Sequence, residues 1–193
     1  MAVQSSFKNM TVCLFAICLV CSALLAGVYA LTKEPIDAAA KAKNEAAIKE
    51  VLPETASAIE EERTVEMDGV AYTYNLAYDA SGNTVGCAIN VSTLGFGGPI
   101  AIKVGFDMNG VICNTKVLSQ AETPGLGAKC VEPSFSGQFK GFDPAEKKLS
   151  VKKDGGDVDA ITASTITSRA YADGLATAVK VFQTIGQTPM PLN

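Results

Sequence analysis

From Met10 to Leu31 the chain reads MTVCLFAICLVCSALLAGVYAL, twenty-two residues without a charge, bounded by Lys8 and Lys33. As a helix this segment spans about 33 Å, and a bilayer's hydrocarbon core is roughly 30 Å thick. Two readings compete. One is a retained membrane anchor. The other is a secretory signal peptide, with Lys8 as its basic leader and Val28-Tyr29-Ala30 as a small-residue cleavage site. The stretch is long for a signal core, which favours the anchor. A lipoprotein signal is not supported, because Val20 stands before Cys21 where a small residue is wanted.

The segment also accounts for the composition. Hydrophobic residues make up 48% of the 193 and charged ones only 19%, with a mean hydropathy of +0.21. Such a chain is not intrinsically disordered. The net charge of −4 supplies no basic face for nucleic acid. Histidine is absent, which removes imidazole bases, His-paired nucleophiles and His-ligated metals. No catalytic side chain and no metal site are expected.

The organisation follows from the anchor: an N-terminal stub over 1–9, a transmembrane helix over 10–31, a juxtamembrane helix over 32–54 and a globular domain over 55–193. The stretch EPIDAAAKAKNEAAIKEVLPE is rich in helix formers, with Ile36, Ala40, Ala47, Ile48 and Val51 at helical spacing and Pro53 as its stop. Basic residues do not fix the orientation. Lys33, Lys41, Lys43 and Lys49 outnumber Lys8 and lean toward a cytoplasmic C-terminus, whereas a signal-like N-terminus exports the chain beyond it. Cys13, Cys18 and Cys21 read as small apolar side chains of the span. Cys87, Cys113 and Cys130 match no metal spacing.

Beyond Tyr72 the apolar period changes to two. Tyr72, Tyr74, Leu76 and Tyr78 alternate with polar or small residues. So do Val85, Cys87, Ile89 and Val91, then Ile100, Ile102, Val104 and Phe106, then Val111, Cys113, Thr115 and Val117. Short turns between them predict antiparallel hairpins with one buried face, which would take Cys87 and Cys113. Gly95-Phe-Gly-Gly-Pro99 reads as a wide turn, and Pro124-Gly125 as a tight one. A last helix carries Tyr171, Leu175, Ala178, Val179 and Phe182 as its apolar stripe, with Gly186 and Pro189 as its end. The fold class is α+β: an antiparallel sheet flanked by helices.

Just before that helix, Thr162, Ser164, Thr165, Thr167 and Ser168 place five hydroxyls in seven residues. They suit helix capping, with Thr162 or Ser164 as the N-cap. They equally suit a phosphate, which a helix N-terminus binds through free N–H groups, and the small Ala163 and Ser164 would leave room for it.

Here the residues carry a resemblance. Asp159-Ala-Ile-Thr-Ala-Ser-Thr165 is similar to the flavinylation motif D-x-x-[ST]-G-A-[ST] of FMN-binding domains in the Rnf complex G subunit and in the C subunit of sodium-translocating NADH:quinone reductases. Glu122-Thr-Pro-Gly-Leu-Gly127 resembles a second signature of that family, and Phe96-Gly-Gly-Pro-Ile100 a third. The resemblance covers nearly the whole chain, and its compact length favours the Rnf protein. It implies FMN joined by a phosphoester to Thr165, installed from FAD by a flavin transferase with a divalent metal. Thr162, Ala163, Ser164, Thr123, Gly125 and Leu126 would lie at the cofactor. Asp159 would serve transferase recognition or cap the following turn. It further implies an electron-transfer subunit of a ferredoxin:NAD oxidoreductase coupled to ion translocation, with no catalysis of its own. Such a protein sits beside other membrane subunits, single-pass in a bacterial inner membrane, with an extracytoplasmic (periplasmic) C-terminal domain. Two departures stand out: the family's Gly-Ala is Ala163-Ser164, and a His before the second signature is Gln120. The rivals are the quinone-reductase protein and an anchored extracytoplasmic binding domain without a cofactor.

Overall fold

The computed structural model describes residues 7–187. Most of the stub expected over 1–9 and the helix-ending Pro189 lie outside them. The chain divides into two compact units, Met1–Lys43 and Asn44–Asn193.

Helix α1 runs Phe7–Val51 with Pro35 inside it. Its most apolar window has a mean hydropathy of 2.6, and it is the one helix among the described residues long and apolar enough to cross a membrane. None of its residues up to Lys43 is buried. The helix ends where Pro53 disfavours a helical conformation for the residue before it. Within the second unit, Ile48, Val51 and Leu52 pack with Ala77 and Ala88 in a small apolar cluster.

The second unit is built on an antiparallel sheet: β1 (Ala58–Ile59), β2 (Arg63–Met67), β3 (Val70–Tyr78), β4 (Thr84–Leu94), β5 (Pro99–Asp107) and β6 (Ile112–Ser119). Strands β3, β4, β5 and β6 are neighbours in that order, and β1 and β2 both pair with the outer edge of β3. The periodicity beyond Tyr72 anticipates β3 to β6 and misses β2. That strand is joined to β3 by a two-residue turn, Asp68-Gly69, at φ +54° and +76°, the left-handed pair that a tight hairpin requires.

One face of the sheet carries Leu76, Cys87, Ile89, Val91, Ile100, Ile102, Val104 and Phe106. Against it lies α3 (Thr165–Gln187), through Tyr171, Leu175, Ala178 and Val181, with Val179 and Phe182 half-buried at the edge. Phe135, in the one-turn helix α2 (Pro133–Ser136), and Phe139 close the core, Phe139 stacking on Tyr171 at 5.1 Å. Tyr171 is fully buried and donates its hydroxyl to Thr115 Oγ1 at 2.9 Å.

Three expectations shift. Cys113 is only half-buried, because Gly105 pairs with Asn114 and Phe106 with Ile112, so a bulge skips Cys113 and gives the core position to Ile112. Val111 lies in the turn ahead of β6 rather than in the strand. Helix α3 continues through Gly186 to Gln187.

Candidate functional site

Two turns and one helix start converge at the end of the sheet. The β4–β5 loop presents Phe96. The Thr123–Leu126 turn has Pro124 second and Gly125 third at φ +76°, and closes with Leu126 N–H donating to Thr123 O at 3.2 Å. Helix α3 begins at Thr165. Together they line a cavity of about 370 Å³ formed by Phe96, Glu122, Thr123, Leu126, Gly127 and the run from Ala163 to Thr167. That volume falls within the range of small-molecule sites. Phe96, Leu126 and Ile166 stand exposed at its rim, an apolar ring left uncovered by the described residues.

Glu122 holds the three segments together. It is 6% exposed. Its Oε1 accepts Gly97 N–H at 2.9 Å, its Oε2 accepts the Thr167 hydroxyl at 2.6 Å, and its own N–H donates to Gln120 Oε1 at 2.6 Å. A β-carbon on Gly127 would collide with both the Glu122 carboxylate and the Thr167 hydroxyl, so the approach requires glycine there. Gln120, standing where the family's His is expected, shapes this turn.

Among the described residues no side chain accepts the N–H groups of the first turn of α3, and that turn lines the cavity. Ser168 is the first residue to close a helical bond, its N–H donating to Ser164 O at 3.0 Å. The N–H groups of Thr165, Ile166 and Thr167 precede it and have no intrahelical acceptor. Ser164 occupies the N-cap position. The chain enters it through Ala163 at φ +60°, a left-handed conformation that costs an L-residue with a β-carbon.

Of the residues singled out in the sequence, Thr123, Leu126, Ala163, Ser164 and Thr165 line the cavity. Gly125 instead forms the exposed tip of its turn. Thr162 faces a second, more polar cleft of about 330 Å³, which it shares with Lys129, Glu132, Gln138 and Asp159. Among the described residues Asp159 caps no backbone N–H: its carboxylate pairs with Lys152 Nζ at 2.7 Å on the surface. The sequence assigns no site role to Phe96, Glu122, Gly127, Ile166 or Thr167, which also line the cavity. For Glu122 a signal exists, since it is the one charged residue of the ETPGLG segment.

The family model described as FMN-binding domain matches residues 95–180, and the one described as RnfG N-terminal region matches residues 1–51. The chain is 34% identical over 183 residues to the G subunit of the ion-translocating oxidoreductase complex of Methanosarcina acetivorans, covering 93% of this chain and 96% of that one. It is 34% identical over 170 residues to the protein of the same name from Haemophilus influenzae, covering 81% of each. It is also 34% identical over 113 residues to the G subunit of the Na(+)-translocating ferredoxin:NAD(+) oxidoreductase complex of Acetobacterium woodii, covering 56% and 54%. Among solved structures, the C subunit of the Na(+)-translocating NADH-quinone reductase from Parabacteroides distasonis superposes with a TM-score of 0.52 at 23% identity, covering 68% of this chain and 80% of that one, a likeness of fold.

Proposed function

The chain belongs to the G-subunit family of ion-translocating oxidoreductase complexes, and from that membership we propose that it relays electrons inside such a complex through FMN carried as a phosphoester on Thr165. The observation that carries the attachment site is how the five hydroxyls are used. Thr167 is 1% exposed and donates to Glu122. Ser168 is fully buried and donates to Ser164 O. Ser164 is buried at the N-cap. Thr162 opens on the other cleft. Thr165 alone is half-exposed at the cavity, at the first position of the helix.

The residues suit the group. An apolar ring of Phe96, Leu126 and Ile166 offers contact to a flat aromatic system. The N–H groups of Thr165, Ile166 and Thr167 offer donors to a phosphodiester, whose single negative charge the helix N-terminus stabilises. Attachment forms one bond from Thr165 Oγ to the flavin-side phosphorus of FAD and breaks that phosphorus's bond to the bridging oxygen. The oxygen leaves with AMP, and the hydroxyl proton is released. The bound flavin supplies the one- and two-electron chemistry, while the chain supplies position and electrostatics.

The wider reading takes the complex from the relatives' names, and the side of the membrane and the maturation step from the motif resemblance alone. The domain lies on the extracytoplasmic side, anchored by α1, beside other membrane subunits of a ferredoxin:NAD oxidoreductase, and is matured by a flavin transferase. Long domains translocate largely regardless of flanking charge, so Lys33, Lys41, Lys43 and Lys49 do not oppose this. A covalent tether also suits a compartment without free cofactor, where mass action cannot keep a site filled.

Coexpression with a flavin transferase, followed by denaturing electrophoresis, tests the reading. The wild-type band is expected to fluoresce, Thr165→Ser to retain label and Thr165→Ala to be dark. Label surviving in Thr165→Ala removes the site. A dark wild type removes the covalent link, and a wild type that also binds no FMN before denaturation leaves the anchored binding domain.

A further inference from the structure

The segment ahead of Thr165 has no regular structure from Asp159 to Ser164, yet side chains from elsewhere grip its backbone at three residues. Gln138 takes both backbone polar groups of Asp159: its Oε1 accepts Asp159 N–H at 2.8 Å, and its Nε2 donates to Asp159 O at 3.1 Å. The second Nε2 hydrogen goes to Phe135 O at 2.9 Å, so both amide hydrogens are used and the amide's orientation is fixed. Phe135 in turn packs edge-on against Tyr171 at 5.2 Å, which ties the grip to the aromatic core. Further along, the buried Ser168 hydroxyl accepts Ile161 N–H and donates to Ser164 O, each at 2.9 Å. The strained turn at Ala163 lies between the two residues that Ser168 holds.

We propose that Gln138 is a positioning residue for flavin attachment: by holding the backbone of Asp159 it fixes the loop that presents the Thr165 hydroxyl to the transferase. This rests on the reading of Thr165 as the attachment site. Gln138 acts through the loop: it is not among the residues lining the cavity, and it faces the second cleft with Asp159 and Thr162. The physical reason is orientation. Thr165 begins the helix immediately after the loop, and a nucleophile delivered by a backbone free to sample other conformations is in line with the phosphorus for a smaller fraction of encounters. Ser168 supplies the second hold from within α3, but it is buried and its removal would disturb the helix start. Gln138 is half-buried on a short surface helical turn, so its replacement separates positioning from folding.

The test uses the full chain in detergent micelles with purified transferase, FAD and Mg²⁺, reading the initial rate of covalent flavin incorporation against acceptor concentration. Gln138→Ala is expected to lower kcat for incorporation by about tenfold or more with KM for the acceptor little changed. Gln138→Glu keeps the acceptor for Asp159 N–H and is expected to fall between Gln138→Ala and wild type. Amide hydrogen exchange, read without flavin, is expected to speed up at Asp159 in Gln138→Ala while amides in the middle of α3 stay protected. An unchanged kcat in a folded Gln138→Ala overturns the proposal. So does a loss carried by KM alone, which would make Gln138 part of the docking surface. Unlabelled wild type, or label persisting in Thr165→Ala, overturns the reading beneath it, an outcome distinct from a labelled wild type with an indifferent Gln138→Ala.

Discussion

The Thr167 hydroxyl donates to Glu122 Oε2 at 2.6 Å, a bond between residues forty-five apart that locks the start of α3 to the ETPGLG turn. The other oxygen of that carboxylate accepts Gly97 N–H from the β4–β5 loop at 2.9 Å. One buried side chain therefore sets the spacing of all three walls of the cavity, and a hydrogen bond to a charged group is among the stronger ones. Glu122→Ala leaves a fully buried hydroxyl without its acceptor and is expected to cost about 2 kcal/mol or more, against about 1 kcal/mol for Glu122→Gln, which keeps a carbonyl in place. Urea unfolding of the full chain in micelles measures both. Equal and negligible losses would show that the three segments are held by packing alone.

Ala163 has φ +60°, one of two non-glycine residues among those described with a positive φ. The other, Asp68, sits in a hairpin turn where aspartate is common. The related motif has Gly at the position of Ala163, and the backbone explains why. Ala163→Gly is expected to relieve strain of about 1–2 kcal/mol, partly offset by the greater freedom of glycine in the unfolded chain, for a net gain of about 0.5–1 kcal/mol. The unfolding midpoint reads this directly, and a lower midpoint would place Ala163 outside the left-handed region.

On the proposed reading of Thr165, attachment and ring contact would fall to different residues. Thr162 faces the second cleft, so Thr162→Ala is expected to take full label in the transferase assay. Phe96 and Leu126 stand exposed at the rim and offer apolar side chains with no hydrogen-bond donor for a phosphate. Phe96→Ala and Leu126→Ala are therefore expected to stay labelled, with the flavin more open to collisional quenching by iodide. Loss of label in either would move these residues from ring contact to the attachment step itself.

The sheet and the last helix were legible because their periods are clean. Ile100, Ile102, Val104 and Phe106 alternate without a break, and all four are fully buried. The features that escaped depend on partners distant in sequence. The alternation through Cys113 fails at a bulge, which is set by how β5 pairs with β6 and not by the local pattern. Strand β2 is only five residues long and carries Arg63 and Glu66, so its two-residue period is short and weak without the Asp68-Gly69 hairpin that pairs it with β3. At the site, the sequence places Glu122 inside a signature without giving it a role, and it marks Gln138 in no way. Their importance lies in Gly97, Thr167 and Asp159, which only the fold brings to them.

Lys103 makes the final case. It lies on β5, pointing away from the main core, and is fully buried, with Asn75 Oδ1 at 3.4 Å as its hydrogen-bond acceptor. Burial brings its ammonium down to about 8, against partial support from the Glu62 carboxylate. An ordinary lysine titrates near about 10.4. Between those values the unfolded chain binds a proton that the folded one has released, so this residue makes stability rise with pH, by about 3 kcal/mol across the window. Below pH 8 both states hold the proton, and the full cost of the buried charge remains. The cysteines act in the opposite sense. Burial pushes the Cys87 thiol up to about 12 and those of Cys113 and Cys130 to about 11, so above about pH 8.5 the unfolded thiols ionise first and stability falls. Wild type alone would blur the two. Lys103→Met isolates the lysine, because the cysteines contribute equally to both proteins. In urea unfolding the variant's advantage over wild type is expected to be greatest at about pH 7 and to shrink by about 3 kcal/mol by about pH 10.5. A difference that does not change with pH would mean that the ammonium is solvated in the folded state.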